Sequence, residues 1–232
     1  VKQIIREMNL SDETYKPGDI AARISLAKNN LITPGAYEAN ASLQAEDRER
    51  RRPQFVDIYK LYVQKCRQNG AMDFDDLLLQ TNILLRDAPD VLARYQEQFK
   101  YILVDEYQDT NALQDALYRC LAAPAGDNLF LVGDLKQSIY RFRQAEPGIF
   151  RQKLDRWPLL PCGVARPRPE EGTPGRNALL ALDANFRSAP QVVAGINFLF
   201  EQLMTPSLGD TAYGDGQRLV CGAPGDYPGS VE

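Results

Sequence analysis

Histidine is missing from all 232 residues, and with it go the Ser-His-Asp and Cys-His nucleophiles, the HExxH zinc site and any imidazole acid or base. Catalysis in such a chain must run on carboxylates, Lys, Arg, Tyr or a bound metal. Cysteine is scarce too. Its four copies, at 66, 120, 162 and 221, are too far apart for the paired knuckles of a zinc site, and they fit reduced thiols in the cytoplasm better than a disulfide scaffold. Long apolar runs are also absent. Stretches such as Tyr101 to Val104 and Leu129 to Val132 fall far short of the roughly 20 residues of a membrane helix. No signal-peptide pattern opens the chain, so a protein that neither spans a membrane nor is secreted is expected.

What is present is ordinary for a globular protein: 44% apolar and 25% charged residues, in a length that allows one or two domains with a real core. The 27 Lys and Arg against 31 Asp and Glu leave a net charge of −4. That balance speaks against unspecific coating of nucleic acid and leaves room for a local basic stripe.

Up to about residue 100 the pattern is helical. Ile4, Ile5 and Met8, then Ile20, Ile24 and Ala27, recur at helical spacing, and Ser11-Asp12, Pro17-Gly18 and Pro34-Gly35 punctuate them. The charged run AEDRERRR from Ala45 to Arg52 reads as a solvated helix face or loop. Phe55, Ile58, Tyr59, Tyr62, Val63 and Cys66 form the next apolar stripe, and MDFDDLLLQTNILL and APDVLARYQEQF continue as helices. At Tyr101 the character changes. YILVDE reads as a strand buried on both faces of a parallel sheet, Thr110-Asn111 caps a helix through about Leu121, and LFLVGD is a second strand. Strand, helix, strand is a βαβ unit, giving an α/β fold class. Further helices are expected over Gln137 to Tyr140, Pro147 to Trp157 and Pro190 to Leu203, with a third strand in LLALDANF. Residues 158–177, rich in Pro, Gly and Arg, read as a loop or insertion, and 205–232 as a linker or the start of a further module.

Chemistry is concentrated at the strand ends. Asp105 and Glu106 close the first strand, where ligands of open α/β sheets bind, and such a pair can divide the work of holding Mg²⁺ and taking a proton from water. Asp134 closes the second strand, and Gln137 follows with an amide able to sense a phosphate oxygen or position a water. SIYRFR then interleaves Tyr140 and Phe142 with Arg141 and Arg143, rings that can stack on bases beside guanidinium groups that meet phosphates. In Asn185-Phe186-Arg187-Ser188 an aromatic again precedes an arginine that could stabilise charge on a transferring phosphoryl group. Each segment alone also fits a structural role, as a surface acid, a core ring or a surface arginine.

Together, ILVDEYQDTN (102–111), LVGDLKQSIYRFRQA (131–145) and LDANFRS (182–188), preceded by AMDFDDLL (71–78), resemble in order and spacing the superfamily 1 DNA helicases of the UvrD/Rep/PcrA group. LKQSIYRFRQAEPGIF, with Lys136 where that group usually carries an acid, and NFLFEQLM (197–204) are more similar to AddA, the helicase component of the AddAB helicase-nuclease. ISLAKNNLITPGAY (24–37) is more similar to the helical 1B insertion of UvrD and PcrA.

The resemblance implies part of a RecA-like P-loop NTPase parallel sheet with a helical insertion domain. Residues 1–70 would be the 1B-type insertion, 71–178 the latter part of domain 1A with motifs II and III, and 179–204 the start of domain 2A with motif IV. Asp105 would coordinate the Mg²⁺ of Mg-ATP, Glu106 would activate the hydrolytic water, and Gln137 would contact the γ-phosphate. Arg187 would act as an arginine finger and Phe186 would stack on adenine. Tyr140, Phe142 and Arg143 would lie along single-stranded DNA. Phe74 is either a further base contact or, with Leu77 and Leu78, part of a helical core stripe. Asp109 and Gln108 would organise the motif.

The family's GxxxxGK[ST] phosphate loop does not occur in these residues. The chain therefore reads as the central segment of a 3′-to-5′ DNA translocase and helicase of repair or recombination, inactive alone and with exposed apolar sheet edges. A non-catalytic DNA- or partner-binding module, or an AddA-type helicase-nuclease with an AddB-type partner, are the alternatives.

Overall fold

The computed structural model describes residues 1–123, 126, 128–160, 177–205, 207, 212–214 and 217–222. Most of the loop expected over 158–177, and most of the segment expected from 205 onward, lie outside the described residues. The chain divides into two units, one made by residues 1–155 and the other by the described residues from 156 onward.

Seven helices open the first unit: α1 (Lys2–Glu7), α2 (Pro17–Asn29), α3 (Pro34–Ala39), α4 (Ala41–Glu49), α5 (Phe55–Gln68), α6 (Phe74–Asp87) and α7 (Pro89–Gln98). Their starts are written in the sequence. Proline occupies the first turn of α2, α3 and α7, where its missing N–H costs nothing, and Thr33 and Asn40 cap α3 and α4. Asp73 and Asp76 close a reciprocal capping box on α6. The core is made by Ile4, Ile5, Tyr15, Ile20, Ile24, Ala27, Tyr37, Phe55, Ile58 and Tyr59. Complete burial of a side chain such as Ile20 or Phe55 contributes about 1.5 to 3 kcal/mol.

The charged run departs from expectation. Asp47 is buried, 2.7 Å from the Arg23 guanidinium, and accepts a 2.8 Å hydrogen bond from the Tyr37 hydroxyl. Arg23 itself lies 5.3 Å over the Phe55 ring. One acid of a run read as solvated thus anchors α4 to the core, because its partners come from α2 and α3.

The strand-helix-strand unit follows: β1 (Ile102–Val104), α8 (Ala112–Leu121) and β2 (Leu129–Leu131). The strands are parallel, with Ile102 opposite Leu129 and Val104 opposite Leu131. Asn111 and Gln114 form the capping box that starts α8. Burial on both faces, expected from the apolar runs, is not found: Leu103 is 73% and Phe130 51% exposed. Their face is open because no described element packs over it, whereas Ile102 and Val104 point to the covered side. After β2, the helix expected over Gln137 to Tyr140 is replaced by two short 3-10 turns, Leu135–Gln137 and Arg141–Arg143. The Asp134 side chain caps the first, accepting from the Lys136 amide at 3.0 Å. Helix α9 (Pro147–Arg156) then packs Phe150 edge-on against Tyr107, with ring centres 5.6 Å apart.

In the second unit, β3 (Ala184–Asn185) pairs in parallel with β4 (Val220–Cys221), and α10 (Pro190–Leu203) lies between them in sequence. The third strand is therefore only two residues long, while α10 spans the expected range. Cys66, Cys120 and Cys221 are free thiols. No helix of the described residues is long and apolar enough to cross a membrane.

Candidate functional site

Both parallel strands of the first unit deliver an acid at the same end. Asp105 and Glu106 follow β1 directly and are exposed. Asp105 Oδ1 accepts a 2.9 Å hydrogen bond from the Glu106 amide. Glu106 sits in the left-handed region at φ 52°, a conformation that costs a non-glycine residue about 1 kcal/mol and is concentrated at functional loops. What holds it there is the next residue. The Tyr107 amide donates to the Val132 carbonyl at 2.8 Å, its hydroxyl bonds the Asp115 carboxylate, and its ring meets Phe150.

Gln108, 1% exposed, joins the two strand ends. Its Nε2 donates to Glu106 Oε2 at 2.5 Å, and its Oε1 accepts from the Asp134 amide at 3.0 Å. Asp134 Oδ2 in turn accepts from Gln137 Nε2 at 3.1 Å. Glu106, Gln108, Asp134 and Gln137 are thus one hydrogen-bonded chain across the ends of β1 and β2. Burial works to raise the Asp134 carboxyl, but the hydrogen bonds from Lys136 and Gln137 and the Lys136 charge 2.9 Å away hold it below the ordinary value. Burial first, and then the Glu106 charge, push the neighbouring Asp109 carboxyl up, and its buried Oδ1 has no hydrogen-bond partner.

Gly133 makes the junction possible. A Cβ at this position would lie 2.7 Å from Gln108 Oε1, 3.1 Å from Phe150 Cε1 and 3.2 Å from the Gln108 amide nitrogen. Glycine here is a requirement of close approach rather than of backbone conformation.

Tyr140, Phe142 and Arg143 do form one strip. The rings lie 5.6 Å apart, tilted by 45°, and the Arg143 guanidinium sits 5.2 Å from the first and 5.6 Å from the second. Phe142 is 76% exposed and Tyr140 lies at the surface, so neither ring is core. The core alternative for Phe74 also fails. Its ring is 89% exposed, Leu77 is exposed too, and α6 buries Leu79 and Leu85 instead. The capping box turns Phe74 outward by fixing Asp73 and Asp76 inward.

Phe186 and Arg187 belong to the second unit. Asn185 Oδ1 accepts from the Arg187 and Ser188 amides at 2.9 and 2.8 Å, starting the turn into α10. Arg187 is exposed, and Phe186 is exposed with its ring laid on the backbone of Gly222, where a Cβ would come within 2.6 Å of it.

Among the described residues no three His, Cys, Asp or Glu gather to hold a metal by themselves. Asp105 alone suits Mg²⁺, which keeps several waters and takes one or two carboxylates plus phosphate oxygens.

A model of the UvrD/REP helicase N-terminal domain matches residues 1–158. The chain belongs to this family. Similar UvrD/REP-type proteins include the A-type component of an ATP-dependent helicase/nuclease of Streptococcus pneumoniae, 41% identical over 166 residues, covering 72% of this chain and 12% of that protein. A protein of the same description from Pelotomaculum thermopropionicum is 44% identical over 170 residues, 68% of this chain and 12% of the relative. The exonuclease/helicase subunit RexA of Lactococcus lactis is 31% identical over 227 residues, 98% of this chain and 17% of the relative. The chain thus spans between about an eighth and a sixth of the length of these UvrD/REP relatives.

Two parts of the site were not singled out by the sequence. Gly133 carries only a weak signal, as a glycine wedged between an apolar strand and a strand-end acid. Lys28 carries none. It is fully buried, with Nζ 2.6 Å from Asp73 Oδ2 and 2.8 Å from Asp76 Oδ1, and 4.9 Å from the centre of the Tyr62 ring.

Proposed function

We propose that the chain is the central part of an ATP-dependent DNA helicase and translocase of the AddA type, moving 3′ to 5′ on single-stranded DNA in repair or recombination. The observation that carries this reading is the chain of hydrogen bonds from Glu106 through Gln108 and Asp134 to Gln137. It links an acid able to take a proton from water to an amide able to touch a phosphate, beside an exposed aromatic strip. The descriptions of the relatives, helicase/nuclease and RexA, support the AddA type over UvrD or PcrA. They also point to a nuclease elsewhere in the complete protein and to an AddB-type partner. A RecA-like sheet, with residues 1–70 as the 1B-type insertion, 71–178 completing domain 1A and 179–204 beginning 2A, is the architecture this reading requires. The direction of travel rests on likeness to the UvrD/Rep/PcrA group.

In this mechanism Asp105 holds Mg²⁺ of Mg-ATP through its unpaired carboxylate oxygen. The ion, when bound, neutralises charge on the phosphate oxygens as a Lewis acid. Glu106 takes the proton of the attacking water, and the left-handed backbone with the Gln108 hydrogen bond fixes the direction its carboxylate faces. Gln137 contacts the γ-phosphate, and Asp134 holds its amide ready. Arg187 stabilises charge developing on the transferring phosphoryl group, and Phe186 stacks on adenine. Tyr140, Phe142 and Arg143 grip bases and phosphates of the single strand, with Phe74 as a further base contact.

The test is Glu106→Gln in the complete protein. Loss of a general base lowers the hydrolysis rate by about 10² to 10⁴-fold, while binding of a fluorescent ATP analogue stays at the wild-type level. Wild-type turnover in this variant removes Glu106 as the base.

A further inference from the structure

Three of the segments named above converge on one face of α2. Lys28 reaches Asp73 and Asp76 at the start of α6. Asn29 Nδ2 donates to the Ser25 carbonyl and to Asp75 Oδ1, each at 2.9 Å, while its Oδ1 accepts from Asn111 Nδ2 at 2.7 Å. Asn111 ends the acid loop and caps α8. Ser25 Oγ accepts from Gln144 Nε2 at 2.9 Å and from Asn29 Nδ2 at 3.4 Å. Gln144 directly follows the Tyr140 to Arg143 strip. A side-chain path therefore runs from the end of the strip, Gln144, through Ser25 and Asn29 to Asn111 at the end of the acid loop.

Gln144 holds its place against local preference. Its backbone is left-handed at φ 66°, and its Oε1 is buried without a hydrogen-bond partner. A residue kept strained and half-satisfied is retained by what it does for its surroundings. Its one side-chain hydrogen bond runs to Ser25, 119 residues away in sequence. The two loops are separately tied by a backbone bond, Glu146 N to Thr110 O at 3.0 Å, so loss of the side-chain path leaves their gross position intact.

We propose that Ser25 is a positioning residue: through Gln144 on one side and Asn29 on the other, it couples occupancy of the aromatic strip by single-stranded DNA to the acid loop that hydrolyses ATP. This rests on the helicase reading above. Binding of a base or phosphate by the strip shifts the turn that ends in Gln144, and α2 carries that shift through Asn29 to Asn111 and the acid loop, 82 positions further along the sequence.

The experiment is ATP hydrolysis by the complete protein with and without oligo(dT), comparing wild type with Ser25→Ala, Ser25→Thr and Gln144→Ala. Ser25→Ala and Gln144→Ala each delete the same bond from opposite sides. Each is expected to lower the DNA-stimulated kcat about five-fold, the effect of one neutral hydrogen bond, with the DNA-free rate and the KM for ATP unchanged. Ser25→Thr keeps the hydroxyl and restores stimulation. Full stimulation in both deletion variants, or an equal loss with and without DNA, overturns the proposal while leaving the helicase reading in place. A wild-type protein whose hydrolysis ignores DNA overturns both.

Discussion

Gly133→Ala is a test of how tightly the two strand ends are joined. The added methyl carbon would stand 2.7 Å from Gln108 Oε1, well inside contact distance, and 3.1 Å from Phe150 Cε1. Gln108 Oε1 is the end of a side chain, but not a free one, because its amide is pinned between Glu106 and the Asp134 amide. If Gln108 retreats, the Asp134 N–H loses its acceptor, at a cost of about 1 to 3 kcal/mol for an unsatisfied donor. If the backbone yields instead, overpacking costs a similar 1 to 3 kcal/mol. The φ of Gly133 is not positive, so alanine regains about 0.4 to 1 kcal/mol by restricting the unfolded chain. The net expectation is a loss of about 1 to 2 kcal/mol. For a unit of this size each kcal/mol lowers the melting temperature by about 2 to 4 °C. Urea denaturation of the chain, followed by far-ultraviolet circular dichroism, reads the loss directly. Gln108→Asn, shorter by one methylene, should recover part of it when combined with Gly133→Ala. A single variant as stable as wild type would refute the close approach and the junction built on it.

Other expectations follow from the same geometry. Lys28→Met leaves two acids without their buried counter-charge, and removing one partner of a buried pair costs about 3 to 5 kcal/mol, measurable as a lower urea midpoint at neutral pH. Burial works to raise Asp73, but the Lys28 and Tyr62 hydrogen bonds bring it below its ordinary 3.8, so the unfolded chain binds this proton more readily than the folded one. Its contribution is therefore present above pH 4, is lost as the pH falls through the depressed value, and should vanish from the acid limb of Lys28→Met in midpoints taken between pH 5 and 2.5. Phe142→Ala in the complete protein should weaken binding of a labelled oligo(dT) by about 1 to 3 kcal/mol, the worth of one stacked base. Unchanged fluorescence anisotropy titrations would remove the ring from the DNA path.

Much of the fold was legible because its signals are local. The period of Ile20, Ile24 and Ala27, the prolines that start α2, α3 and α7, and the Asn111 cap before α8 each act within one or two turns. So does the pairing of an apolar run with a strand-end acid, which located Asp105, Glu106 and Asp134. What the sequence concealed depends on elements far away. An apolar run shows that a strand can be buried on two faces, but Leu103 and Phe130 are exposed because covering them is the task of a different element. A charge run shows a solvated face on average, yet Asp47 is buried because Arg23 and Tyr37 meet it from other helices. Lys28 stands between the apolar-face residues Ile24 and Ala27 and the polar Asn29, and only the capping acids of α6 make its burial tolerable. In Phe74 the helical period misled in the other direction, since the cap of α6 rotates that residue out of the stripe its neighbours suggest.

The link between the two strand ends is an amide, and an amide has a direction. Gln108 gives with its nitrogen to Glu106 and receives with its oxygen from Asp134, and it has no proton to pass on. It therefore carries orientation and not charge. While Glu106 is ionised, the bond it receives is charge-assisted, and a proton taken up by that carboxylate reduces it to a neutral bond roughly half as strong. Should the proton settle on Oε2, a donor would face a donor. Gln108 cannot answer by turning over, because a flipped amide would set its NH₂ against the Asp134 N–H. The protonation state of one acid is thereby legible, as slack or tension, at the residue that holds Gln137.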